Sequence, residues 1–173
     1  CSAPAAVTGI GESGSTSFDV SFGYTGSYAA AAHGLAPATV TSDNVVQDPD
    51  QSFNPNDGFS NLHQFNLSGA AFFRIAMPPE SVADPAIDLD IYVYNPNGVQ
   101  VASSTSGSTN ELVDITLPMD GSWSVYVHGW QTAGPSADYE MYSWVVSATP
   151  GGNMSVDSAP ASATIGTVGT VDV

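Results

Sequence analysis

The sequence predicts an all-β protein, an antiparallel β-sandwich of jelly-roll character. Three observations lead there. Segments rich in β-branched and aromatic residues recur along the chain, turn-forming residues separate them at intervals of roughly 8–12 residues, and no stretch keeps the apolar i, i+3, i+4, i+7 stripe of a helix. Strands without intervening helices pair antiparallel and close into two packed layers.

In chain order, STSFDVSFGY (15–24) opens the series as a strand. YAAAAHGL (28–35) is the best helix candidate, but Gly34 closes it early, and so short a helix is marginal alone, so a strand is the better expectation. AAFFRIAM (70–77) reads as a strand, and Pro78-Pro79 and Asp84-Pro85 then break the chain before DLDIYVYN (88–95). Asn95-Pro96-Asn97-Gly98 supplies a hairpin turn, with glycine for the position that needs positive φ. ELVDITL (111–117), the tight turn Met119-Asp120-Gly121, SWSVYVHGW (122–130) and YEMYSWVVS (139–147) complete the pattern.

Alternation assigns the faces. Leu89, Ile91 and Val93 share one face of their strand, and Asp88, Asp90, Tyr92 and Tyr94 share the other. Trp123, Val125 and Val127 likewise oppose Tyr126, His128 and Trp130. An unpaired carboxylate is costly to bury, so the face of Asp88 and Asp90 is expected to look outward or into a polar joint. The sandwich is expected over 1–148, with a strand-and-loop region at 1–60. TPGGN (149–153) reads as a hinge, and the strand-like SATIGTVGTVDV (162–173) makes 149–173 the opening of a further β module or an edge segment awaiting a partner.

The 173 residues carry 17 Asp+Glu against a single Arg and no Lys, a formal charge of −16. That excludes nucleic-acid binding by phosphate neutralisation and adsorption to anionic membranes, since no cations cluster. Hydrophobic residues make up 42% and aromatics 10%, enough for a core and unlike a disordered acidic tail. No segment approaches the roughly 18 apolar residues of a membrane span. Cys1 is the lone cysteine, which excludes an internal disulfide; it reads as a processing boundary or, more sharply, as a lipid-modified terminus. Abundant Ser, Thr, Gly, Asn and Asp with no Lys suggest an extracellular bacterial protein.

Chemistry-bearing motifs are few. Gly9 to Gly14 (GIGESG) spells a dinucleotide-type pattern, but a strand follows it and Glu12 sits inside it, so a flexible turn is expected. No G-x-S-x-G occurs, and His33, His63 and His128 lack a triad context, so each is expected in a loop or on a sheet surface. No enzyme activity is expected of this chain. The run DNVVQDPDQSFNPNDG holds Asp48, Asp50 and Asp57 among hard oxygen ligands, and Asp84, Asp88 and Asp90 form a second group that could converge with Asp138. Calcium is the cofactor such ligands would suit, against the plainer alternative of Asx turns in solvated loops. Tyr92, Tyr94, Tyr126, Trp130 and Tyr142 are the outward aromatics. They form a protein-binding surface, or the N-terminal 60 residues cover them.

DLDIYVYNPNGVQVASSTSGSTNELVDITLPMDGSWSVYVHGWQT (88–132) resembles the pre-peptidase C-terminal domain appended to secreted bacterial proteases. The resemblance lies in the Asp-Leu-Asp strand, the Pro-Asn-Gly hairpin, the V-A-S-S return strand and a Gly-aromatic strand ending V-Y-V-H-G. The flanks VTGIGESGSTSFDVSFGYTGSYAAAAHGLAPATV (7–40) and YSWVVSATPGGNMSV (142–156) are similar to the C-terminal region of subtilisin-family serine proteases. The resemblance implies a secreted, non-catalytic accessory domain that binds protein substrate, collagen-like in related modules, or packs on the parent's catalytic domain. Tyr92, Tyr94 and Tyr126 fall on its tyrosine-bearing strand positions. The alternative is an extracellular adhesive module self-assembling through its terminal strand.

Overall fold

The computed structural model describes residues 1–10, 13–147, 149 and 151–173. Gly11 and Glu12 of the GIGESG run, Ala148, and Pro150 of the expected hinge lie outside the described residues. The chain divides into two compact units, one of residues 37–148 and one of residues 1–36 with 149–173.

The larger unit is a sandwich of two antiparallel four-stranded sheets. The first sheet has the order β3 (Thr39–Val46), β10 (Ser136–Ser147), β5 (Ala70–Met77), β8 (Glu111–Thr116). The second has β4 (Ser60–Leu67), β9 (Gly121–Gln131), β6 (Asp88–Tyr94), β7 (Gln100–Ser104). A 3₁₀ turn at Pro79–Ser81 follows β5 where the two prolines interrupt the chain. The alternating apolar rows meet between the sheets: Leu89, Ile91 and Val93 of β6 and Val125 and Val127 of β9 face Phe73, Ile75 and Met141, all at most 1% exposed. That arrangement follows from the two-residue period, which puts every second side chain on the buried face.

The hairpin between β6 and β7 is built as its residues require. The Asn95 side chain accepts from the amides of Asn97 and Val99, and Gly98 takes φ +72°. Trp123 donates its indole N–H to the Met119 carbonyl at 2.9 Å, fixing the turn before β9.

The smaller unit pairs β1 (Ser17–Ser21) with β12 (Val168–Asp172) and β2 (Gly26–Ser27) with β11 (Ser162–Ala163). Val20, Phe22, Ala163 and Val171 form its core, with Tyr28 set edge-on to Phe22 at 5.1 Å. This differs from the expected division after residue 148. Residues 1–36 group with 149–173 because the β-branched terminal run zips against the N-terminal strand, which supplies β12 with a partner. The YAAAAHGL segment forms no helix; His33 makes a parallel bridge to Gly151 instead.

Candidate binding site

The outer face of the second sheet carries Asp88, Asp90, Tyr92 and Tyr94 on β6 beside Tyr126, His128 and Trp130 on β9. The β3–β4 connection, residues 47–59, lies over that face. Gly129 is the reason it can. Its amide donates to the Phe59 carbonyl at 3.1 Å and its carbonyl accepts from the Asp48 amide at 2.8 Å, so both ends of the connection are tied to one residue. A Cβ at Gly129 would sit 2.2 Å from the Val46 carbonyl oxygen, which leaves no room for any other residue. Here β9 also bulges, with Asp88 opposite Gln131 but Asp90 opposite His128. A bulge re-aims side chains. The Gln47 side chain completes the anchorage, donating to the Trp130 carbonyl and accepting from the Thr132 amide, each at 2.8 Å.

Beneath the connection His128 is fully buried between two carboxylates. Its Nε2 lies 2.8 Å from Asp48 Oδ2 and its Nδ1 lies 3.5 Å from Asp90 Oδ2. Burial opposes a charged imidazole, but the bonds to Asp90 and Asp48 prevail and raise its pKa above the ordinary value. Burial likewise opposes ionisation of Asp48, yet the His128 bond and the amides of Asp50 and Ser52 hold its carboxyl below the usual carboxylate range. An imidazolium shared by two carboxylates is the state these partners favour.

Phe53 of the connection stacks on Tyr92 at 3.7 Å and 5°, and meets Tyr126 and His128 edge-on at 5.7 Å each. Tyr94 and Tyr126 pack edge-to-face at 5.5 Å. These rings are half-buried, so the chain's own loop covers the aromatic face in part, through one residue. Burial and the nearby Asp90 push the Tyr92 phenol up to about 12, which keeps it a neutral donor.

Beside this cluster opens a cleft of about 360 Å³, lined by Gln51, Asp88, Asp90, Tyr92, Ser106 and Trp130 among others. Glu111, the first residue of β8 in the other sheet, brings a carboxylate oxygen within 4.8 Å of oxygens of Asp88 and Asp90. Burial, then the charges of Asp90 and Glu111, push the Asp88 carboxyl up to about 6. The Glu111 head is held by the Ser106 amide at 2.8 Å and the Ser106 hydroxyl at 2.7 Å.

The remaining sequence-predicted residues do not converge here. Asp50, Asp57 and Asp84 each accept a backbone amide two residues on, from Ser52, Phe59 and Ala86, which is Asx-turn chemistry. Asp138 lies on β10 and accepts from the Asn44 side chain at 2.7 Å. Tyr142 is also on β10, in the first sheet, where it stacks with Trp144 and bonds Glu140; it shares no surface with Tyr92, Tyr94 and Tyr126. His128 is buried rather than on the sheet surface, because two carboxylates receive it. His63 points inward, with Nε2 2.7 Å from the Tyr139 hydroxyl. Sequence reasoning missed Glu111 and Phe53. A Glu opening an apolar strand and a Phe in an acidic loop were the available signals.

A two-sheet sandwich with a loop-covered outer face and a cleft beside it defines an all-β module. Residues 59–129 match the family model of the bacterial pre-peptidase C-terminal domain, typically a non-catalytic C-terminal accessory domain of secreted proteases. The matched segment runs from the end of the 47–59 connection to Gly129, and so includes β4 to β9 nearly whole. Among solved structures, the chain is similar to the pre-peptidase C-terminal domain of collagenase from Bacillus anthracis, at 12% identity and a TM-score of 0.44, over 65% of this chain and 94% of that one. Among the described residues, no helix is long and apolar enough to cross a membrane.

Proposed function

We propose that the chain is an extracellular accessory region of a secreted subtilisin-family serine protease and that it holds protein substrate for the parent enzyme. The 59–129 match supports the accessory role. The likeness of segments 7–40 and 142–156 to the C-terminal region of subtilisin-family proteases favours that parent. One observation carries the binding reading: Tyr94, Tyr126 and Trp130 remain half-exposed around the Phe53–Tyr92 stack and the adjoining cleft. Rings presented this way offer apolar area and hydroxyl or indole donors at low entropic cost. The lone Arg74 cannot serve an anionic partner, because Asp114 takes its guanidinium through two bonds of 2.7 Å. Recognition therefore runs through aromatic and main-chain contacts.

Retention of the whole chain on insoluble collagen and on casein beads tests this. Tyr94→Ala and Trp130→Ala should each lower retention severalfold while far-ultraviolet circular dichroism stays unchanged. Equal retention of wild type and both variants on both matrices would overturn the reading.

A further inference from the structure

Asp88 and Asp90, which line the cleft, belong with Glu111 to a carboxylate group that the aromatic walls do not explain. Asp88, Asp90 and Glu111 are 9%, 4% and 1% exposed, and one carboxylate oxygen from each lies within 4.8 Å of the other two. Three carboxylates this close repel one another strongly when removed from water. The protein brings no cation to all of them: His128 faces Asp90 and Asp48, and Arg74 is engaged with Asp114 in the other sheet. Two of the oxygens, Asp88 Oδ1 and Glu111 Oε2, are buried with no hydrogen-bond partner. Buried polar atoms are nearly always satisfied, and an orphaned carboxylate oxygen marks a group whose partner is something other than protein. Glu111 is not loosely placed, since Ser106 fixes its Oε1 by two donors and leaves Oε2 as the free atom.

We propose that Asp88, Asp90 and Glu111 form a binding site for a divalent cation of the calcium type. The donors are all carboxylate oxygens, which suit a hard cation, and their spacing is one that calcium–oxygen bonds of about 2.3–2.6 Å can span. The cleft gives the ion a path in and leaves room for waters to complete a coordination of roughly six to eight oxygens. Bound there, the ion neutralises the mutual repulsion and ties β6 of one sheet to the start of β8 in the other. The site stands on these oxygens alone and does not depend on the aromatic binding reading.

The test is calcium titration of the whole chain after chelator treatment and dialysis, followed by calorimetry and thermal melting. Terbium luminescence, sensitised by Tyr92 and Trp130 at the cleft, gives a second readout. One saturable site is expected, with a melting temperature raised by about 5 °C or more at a hundredfold excess over Kd. Glu111→Gln and Asp88→Asn should each weaken binding by about tenfold or more, whereas Asp57→Asn, in the exposed loop, should leave it unchanged. Absence of saturable binding up to about 10 mM calcium would overturn the proposal, as would a melting shift reproduced by sodium chloride of equal ionic strength. So would calcium binding that both carboxylate variants, Glu111→Gln and Asp88→Asn, retain at wild-type strength.

Discussion

Replacing His128 by alanine removes the cation shared by Asp48 and Asp90. Both carboxylates stay buried, at 1% and 4% exposure, and the wild-type bonds of 2.8 and 3.5 Å disappear together. Removing one partner of a buried ion pair costs about 3–5 kcal/mol, because the charge left behind is uncompensated. Against a total stability of about 5–15 kcal/mol for a domain, that is a large fraction. The sign with pH follows from the two shifts. His128 has its pKa raised by folding, so its contribution is complete below the unfolded value of 6.5 and fades as pH rises through the folded value. Asp48 has its pKa lowered, so its contribution is complete above 3.8 and fades as pH falls through the folded value.

The penalty of His128→Ala should therefore be greatest near pH 6, between those limits, and shrink toward both acid and alkaline pH. Urea unfolding of wild type and variant at about pH 3, 6 and 9 measures it. Asp48→Asn in the His128→Ala background should recover about 1–2 kcal/mol at pH 6, since it removes one stranded charge. A penalty below about 1 kcal/mol at pH 6, or one that does not vary with pH, would refute the shared-imidazolium argument.

Other perturbations test neighbouring parts of the structure. Gly129→Ala should destabilise by about 2 kcal/mol or more in urea unfolding, because its Cβ would lie 2.2 Å from the Val46 carbonyl and push the loop off the sheet. Phe53→Ala removes the 3.7 Å stack on Tyr92 and should cost about 1–2 kcal/mol, with faster proteolysis within 47–59 as a second readout. Tyr139→Phe strips His63 Nε2 of its 2.7 Å partner and should cost about 1–2 kcal/mol. Burial lowers the His63 pKa against the pull of Asp43, so an NMR titration should give a midpoint below 6.5. The stability linked to His63 should be complete above that pH and decline as pH falls through the folded value.

The core strands were legible because of their apolar content and, in β6 and β9, because their two faces differ sharply. β5 occupies the predicted 70–77 as a nearly continuous apolar run, and β6 and β9 match their expected ranges to within a residue, each alternating an apolar row with a more polar one. β3 and β4 escaped notice for the opposite reason. The inward row of β4 contains Asn61 and His63, which read as surface residues until the Tyr139 hydroxyl is seen to satisfy both, at 3.2 and 2.7 Å. The parts of the site were partly legible: Asp48, Asp88, Asp90 and the β6 tyrosines stood out as residue types. Their pairing was not, since Asp48 meets His128 across 80 positions and Glu111 arrives from the other sheet. Local patterns carry no register between distant segments, so Asx-turn aspartates and buried ones look alike in the sequence.

The charge imbalance acquires a sharper meaning from this placement. A surface excess of carboxylates is well tolerated, because water and salt screen it. Here a few of the 17 acidic residues are withdrawn from water within one sheet-and-loop junction, while the chain's single arginine is engaged elsewhere. His128 is then the internal counter-charge, and it answers Asp48 and Asp90 but leaves Asp88 and Glu111 facing each other with orphaned oxygens. Burial and the charges of Asp90 and Glu111 push the Asp88 carboxyl up to about 6, so the junction is relieved in two ways: by a proton on Asp88 in mild acid, or by the divalent ion proposed above. The first costs stability as pH rises from about 4 toward 6, since the folded state then holds a proton that the unfolded chain has lost. The second, if the proposed site binds calcium, would remove that cost where divalent ions are plentiful. The same junction therefore links the stability of the sandwich to pH through Asp88 and His128, and the proposed ion would add a link to divalent cations.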